Sequence, residues 1–212
     1  MNTFYNKQGK PVLLKIAAGI QENKAYLSEI DGLIGDGDHG MNMNKGFSIF
    51  AERIKEKDIS FVDGLDELGS ILFGEIGGSM GPIYGTLFMD MASAGEDYVE
   101  IGVYELGKML EMGQDGLFSV VDARVGDKTL IDCLSPAVET LQKAEEVSFS
   151  QALHAMKSAA EKGRDSTIDM VAKYGRSSRL GERSKGVLDA GAVSCCIILT
   201  AMADGILEQI GG

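Results

Sequence analysis

The sequence predicts an all-α protein, and three observations carry that prediction. Apolar residues recur at spacings of three, four and seven along most of the chain. No run alternates with period two, as a half-buried strand would. The stretches between the periodic segments are either short or rich in glycine and charge, which suits antiparallel helices joined end to end. With 212 residues, 44% of them apolar, the chain suits a single domain over 1–212 with a full core.

Eight helices are expected. Pro11 is a good first helical residue, and Val12, Leu13, Ile16, Ala17, Ile20, Leu27 and Ile30 mark one amphipathic helix that ends at an acidic loop. A second helix over 42–57 would bury Phe47, Phe50 and Ile54. A third carries Leu65, Leu68, Ile71, Leu72 and Ile76, then stops at the glycine turn 77–81. The fourth is expected over 82–94, starting at Pro82. A fifth covers 100–121 and a sixth 128–145, which Pro136 should bend or divide. The seventh runs over 148–174 with Ser148 as its N-cap, and the eighth over 192–210 follows a polar segment.

An up-and-down barrel of eight helices brings every second connection to the same end. Those connections are the acidic loop, 77–81, 122–127 and 175–191, so all the glycine-rich and charged loops gather on one rim. The other connections are short and undistinguished.

The charge balance limits what the rim can bind. Twenty basic against 32 acidic residues give a net charge of −12, which argues against nucleic acid and against an anionic membrane surface. Cys133, Cys195 and Cys196 lie in apolar helical surroundings without C-x-x-C spacing, and read as buried thiols in a reducing compartment. The N-terminus lacks the apolar core of a signal peptide and no apolar run reaches spanning length, so a cytoplasmic location is expected.

The chemistry concentrates in residues 31–44. Asp31, Asp36 and Asp38, with His39 and four glycines, fall within ten residues, and Asn42 and Asn44 follow. Carboxylates this close repel unless a cation holds them, and hard oxygen donors point to Mg²⁺ or Ca²⁺. An EF-hand starting at Asp36 would place Gly40 at position 5, Met41 at 6 and Phe47 at 12, which excludes that loop and favours magnesium. A solvated acidic turn is the alternative, and under either reading Asn42 or Asn44 would cap the next helix. His39, beside the carboxylates, should have a raised pKa, and it could either hydrogen-bond a phosphate or orient the loop. His154 lies mid-helix and reads as structural.

Three further segments suit phosphate. Gly77-Gly78-Ser79-Met80 precedes a helix start and offers backbone N–H groups and a hydroxyl. Asp127 would cap the sixth helix, with Lys128 beside it as a phosphate contact. Arg176, Arg179, Arg183 and Lys185 concentrate positive charge that could steady a transferring phosphoryl group, or simply pair with Glu182 and Asp189. Each signal alone is weak, but together they are the parts that hold a nucleotide polyphosphate.

The segments 34–47, 77–85, 126–129, 175–184 and 189–191, in this order, resemble the nucleotide-binding L subunit of dihydroxyacetone kinase over essentially the whole chain. That resemblance implies an eight-helix antiparallel barrel with ADP or ATP at one end, bridged by two Mg²⁺ to Asp31, Asp36 and Asp38. It implies that a phosphohistidine-carrying M subunit of a phosphotransferase system recharges bound ADP, and that the γ-phosphoryl passes to dihydroxyacetone on a separate K subunit. Other members use free ATP, and no general base need be sought here. Nucleotide contacts implied by position are His39, Gly40, Met41, Asn42, Gly78, Ser79, Met80, Thr129, Leu130, Arg176, Asp189, Ala190 and Gly191, with Arg176 as the catalytic side chain. Four positions depart from the family's usual residues, a small hydroxyl at Met80, Gly at Val121, Met at Leu130 and Pro at Ala190. The departures suit dihydroxyacetone or a related small ketose, and a homodimer stays open. A regulatory nucleotide-sensing module and a calcium-stabilised structural protein are the readings from other classes. A turnover assay with a K-type partner excludes the first, and nucleotide in the purified protein excludes the second.

Overall fold

The computed structural model describes residues 3–144 and 147–211. Among them lie nine α-helices, which close into one ring. They are α1 (Lys10–Glu22), α2 (Lys24–Ile34), α3 (His39–Ile54), α4 (Phe61–Glu75), α5 (Met80–Gly95), α6 (Val103–Val120), α7 (Ile131–Gln142), α8 (Phe149–Ser166) and α9 (Ala190–Ile210). From α3 onward each helix packs on the next, and α9 returns to α1 while α1 and α2 both pack on α3. That is the up-and-down barrel the periodicity predicts.

The ninth helix arises because the first expected helix is broken. At Asn23 the backbone leaves helical geometry, and the Gly19 carbonyl accepts from both the Asn23 backbone amide at 3.3 Å and its side-chain amide at 2.8 Å. The Asn23 carbonyl then accepts from Leu27, so α2 restarts within one residue. Asp31 therefore stands in the last turn of α2, inside a helix and not in a loop.

The core is a single apolar cluster to which every stave contributes, α9 more than any other helix. That helix is apolar and long enough to cross a membrane by composition, but 78% of the relevant window is packed inside the barrel. Free Cys133, Cys195 and Cys196 are all buried there, as expected. Pro136 sits inside α7 without ending it. The missing amide frees the Asp132 carbonyl, and a Cβ on Gly163 of α8 would stand 2.1 Å from that oxygen, so α8 closes there on a glycine.

Other boundaries move by a few residues. The fourth expected helix starts earlier, at Met80, and the seventh ends at Ser166, followed by a 3₁₀ turn, Thr167–Asp169. Residues 170–189 then form an irregular arm around a second 3₁₀ segment, Ser177–Ser184. The expected end of the sixth helix at Glu145 lies outside the described residues. One strand pair was not expected: β1 (Phe4–Tyr5) and β2 (Glu100–Ile101) pair antiparallel at the end away from the rim. Two residues are too few to show a period.

Candidate functional site

All four rim connections line one cavity of about 420 Å³. Asp31, Asp36 and Asp38 form its acidic wall, with ligand oxygens all within 4.8 Å of one another. The loop is shaped for this. A Cβ on Gly35 would stand 2.3 Å from an Asp31 carboxylate oxygen, and Gly37 adopts φ +78°, so the carboxylates converge only because glycine stands between them. The His39 amide donates to Asp31 Oδ2 at 3.3 Å, which aims that carboxylate. Three hard oxygen donors, two of them exposed, fit a divalent cation whose remaining positions take water and phosphate oxygens.

Arg176 reaches across the mouth from the 170–189 arm, paired with Asp36 and 3.9 Å from Asp38. It is the one member of the expected basic cluster that lines the cavity. Lys185 pairs with Glu182 at 2.8 Å, as the alternative reading had it.

Helix N-termini face the same space. Asp38 and Ser79 occupy the N-cap positions of α3 and α5, and neither side chain accepts a capping bond. Gly78, at φ +72° with open space around it, turns the chain into α5. The expected caps Asn42 and Asn44 lie inside α3 instead, because the helix begins at His39. Met80, Ile83, Val121, Leu130 and Ala190 add an apolar wall on the other side.

Two expectations at the start of α7 are corrected. Asp127 does not cap that helix: it accepts from the Arg124 amide at 2.8 Å and pairs with Lys173 at 2.6 Å, contacts that hold its carboxyl below the usual range. Asp132 does the capping, accepting from Gly126 at 2.6 Å and Thr129 at 2.7 Å. Thr129-Leu-Ile-Asp132 is a capping-box pattern, the signal that could have found it. Lys128 is no phosphate contact through its ammonium. Its backbone takes φ +61°, its side chain is 1% exposed, and Nζ donates to the carbonyls of Thr167 and Val187, bracing both ends of the arm.

His39 also differs from expectation. Burial outweighs Asp31 and pushes its pKa down to about 4, so the ring is neutral at pH 7. Its Nε2 lies 2.9 Å from Ser194 Oγ, which lies 2.7 Å from the Tyr84 hydroxyl. Neither Tyr84 nor Ser194 was singled out, since each sits at core spacing inside an apolar helix. His154 is exposed on α8. Asp189 caps α9, accepting from Ala192 at 2.8 Å, and burial raises its carboxyl to about 6.

Of the expected nucleotide contacts, His39, Asn42, Gly78, Ser79, Met80, Thr129, Leu130, Arg176, Asp189, Ala190 and Gly191 line the cavity. Gly40 and Met41 do not. A Cβ on Gly40 would meet the Lys24 carbonyl at 2.1 Å, so its role is close packing of α3 on α2, and Met41 points to solvent at 55% exposure. Tyr174 and Ser177, unforeseen, line it from the arm.

Residues 33–204 match the DAK2 domain family. Over 183 residues the chain is 42% identical to the ADP-binding subunit DhaL of the PEP-dependent dihydroxyacetone kinase of Escherichia coli, covering 84% of this chain and 86% of that one. It is 34% identical to a DhaL subunit of Listeria innocua over 94% of both chains. The protein thus belongs to the DhaL family of dihydroxyacetone kinase subunits. The solved dihydroxyacetone kinase of C. freundii shares the fold, with a TM-score of 0.71 at 21% identity over 96% of this chain. This chain spans 36% of that one, about a third of its length. The same kinase in complex with AMP-PNP and Mg²⁺ gives a TM-score of 0.68 at 22% identity, over 91% of this chain and 33% of that one.

Proposed function

We propose that this chain is the nucleotide-binding subunit of a kinase for dihydroxyacetone or a related small ketose, holding ADP or ATP with Mg²⁺ in the rim cavity. The observation that carries the reading is the convergence of Asp31, Asp36 and Asp38 on one point at the mouth of a cavity floored by uncapped helix starts. Two Mg²⁺ would bring four positive charges against three carboxylates, leaving a surplus towards the polyphosphate, and each ion keeps open positions for phosphate oxygens. When bound, the ions supply charge neutralisation to the polyphosphate. The amides at the start of α5, with the Ser79 hydroxyl, donate to its oxygens. The apolar wall of Met80, Val121, Leu130 and Ala190 takes the base.

Arg176 supplies mobile positive charge to the phosphoryl group in flight. The acceptor ketose sits on a separate K subunit, so this chain positions the donor and needs no general base. The DhaL relatives are named as PEP- or PTS-dependent, which supports recharging of bound ADP by a phosphohistidine-carrying M subunit. A cytoplasmic site of action follows from that partnership.

The test has two parts. Mass spectrometry of ligand released from freshly purified protein should find ADP or ATP, and EDTA should release it; protein free of nucleotide and unable to take up Mg²⁺–ADP rejects the reading. Mixed with a K-type partner and ketose, the ATP-loaded chain should then yield phosphorylated ketose. Binding without product would leave a nucleotide sensor and reject the kinase.

A further inference from the structure

Beneath the cavity three polar side chains from three helices meet in a region otherwise packed with apolar groups. Tyr84 of α5 and Ser194 of α9 are fully buried, and His39 of α3 is 5% exposed. Four short contacts join them to each other and to the Gly191 carbonyl. Ser194 Oγ is 2.7 Å from the Tyr84 hydroxyl, 2.9 Å from His39 Nε2 and 3.1 Å from the Gly191 oxygen, and the Tyr84 hydroxyl is also 3.1 Å from that oxygen.

Counting protons decides how these contacts are made. Tyrosine and serine each bring one, and a neutral imidazole brings one on either nitrogen. If Nε2 carried none, Ser194 would give its proton to it, Tyr84 would donate to Ser194, and only two bonds would form. If Nε2 carries the proton, it donates to Ser194 Oγ, one hydroxyl donates across the 2.7 Å contact, and the other proton reaches Gly191. That makes three bonds among these groups where the other tautomer makes two.

We propose that Ser194, backed by Tyr84, is a positioning residue that fixes His39 as the neutral Nε2–H tautomer, so that Nδ1 meets a bound metal–phosphate group as an acceptor. The ligand-side half of this proposal rests on the reading of the cavity as a Mg²⁺–nucleotide site. A lone pair there repels a phosphate oxygen but accepts from a water on a cation, so His39 serves the hydration shell of the metal and not the phosphate. The hydrogen bond on one imidazole nitrogen thereby sets what the other can recognise.

The experiment is imidazole ¹⁵N NMR of the whole ligand-free chain at pH 7. With only two histidines, exposed His154 serves as the internal reference. The wild-type protein should show His39 protonated at Nε2 with an unprotonated Nδ1. Tyr84→Phe should keep that pattern, because the bonds from His39 to Ser194 and from Ser194 to Gly191 survive. Ser194→Ala should lose it and weaken Mg²⁺–ADP binding roughly fivefold, with circular dichroism unchanged. A wild-type ring protonated at Nδ1, or a Ser194→Ala ring indistinguishable from wild type, overturns the tautomer assignment. Unchanged Mg²⁺–ADP affinity in Ser194→Ala overturns the positioning role. If the wild type binds no ADP, the reading of the cavity fails and the ligand-side half of this proposal goes with it, while the spectrum of the ligand-free chain still decides the tautomer.

Discussion

Helix starts at the two ends of the barrel differ in how their first amides are answered. At the end away from the cavity, α4, α6 and α8 begin with their first amides answered by side chains. Ser60 accepts from Asp63, Glu105 reaches back to the Gly102 amide at 3.0 Å, and Ser148 and Gln151 bond each other's backbone amides. At the rim, α7 and α9 are answered by Asp132 and Asp189, and the first amide of α3 by Asp31, while α5 begins with no side-chain cap. Leaving a cap unmade costs about 1 kcal/mol per helix. Among the rim starts it is α5 that keeps its donors for an anion.

The largest test of that contrast removes the rim's own charge. Asp36→Ala combined with Asp38→Ala should lower Mg²⁺–ADP affinity by on the order of 100-fold or more, since charged contacts contribute about 1.5–3 kcal/mol each. Helicity by circular dichroism should not change, because both carboxylates lie in a loop and neither caps a helix. Undiminished affinity in an ADP titration would break the assignment of the acidic wall.

Much of this contrast was legible in the sequence. Glycine between aspartates, and helix periods that alternate in direction, placed the carboxylates and gathered the four unusual connections on one rim. What stayed hidden were choices between neighbours. Nothing in the spacing of α1 and α2 foretells that Asn23 interrupts them, since the apolar period continues across it. Asp127 and Asp132 compete to cap α7, and the positive φ of Lys128, which turns its ammonium inward to Thr167 and Val187, gives the role to Asp132. Tyr84 and Ser194 were invisible because a hydroxyl at a core position reads as packing until its partner from another helix is known. His39 failed for a related reason: sequence shows the neighbouring charges that raise its pKa but not the burial that overrides them.

The rim should also respond to pH in a way the far end does not. His39, ordinarily near 6.5 and held down to about 4, is stabilised in its charged form only on unfolding, so stability falls as pH drops from about 6.5 towards 4. Asp189, ordinarily near 3.8 and raised to about 6, does the reverse: the unfolded chain ionises first, and stability falls as pH rises from about 4 to 6. Each effect amounts to about 3 kcal/mol, at 1.36 kcal/mol per pH unit, and they oppose each other across one window. Asp189→Asn keeps an N-cap oxygen and removes one of the pair. Chemical denaturation should then show stability rising by about 2–3 kcal/mol between pH 4 and 6.5, where the parent chain is nearly flat. A flat variant would mean that His39 is not held neutral by its burial.

The smallest effect gives the sharpest comparison, because it sets two serines at equivalent positions against each other. Ser79 and Ser148 each stand at a helix N-cap, one at the rim and one at the far end. Ser148 Oγ accepts from the Gln151 amide at 3.2 Å, while Ser79 makes no such bond. Ser148→Ala should therefore lower unfolding stability by about 1 kcal/mol and leave Mg²⁺–ADP affinity alone. Ser79→Ala should leave stability within about 0.5 kcal/mol and weaken the nucleotide by roughly threefold to tenfold, the range of one hydrogen bond. Denaturation and ADP titration on the two variants read out both quantities. If Ser79→Ala lost stability as Ser148→Ala does, the rim serine would be an ordinary cap, and the start of α5 would have no donors to spare for phosphate.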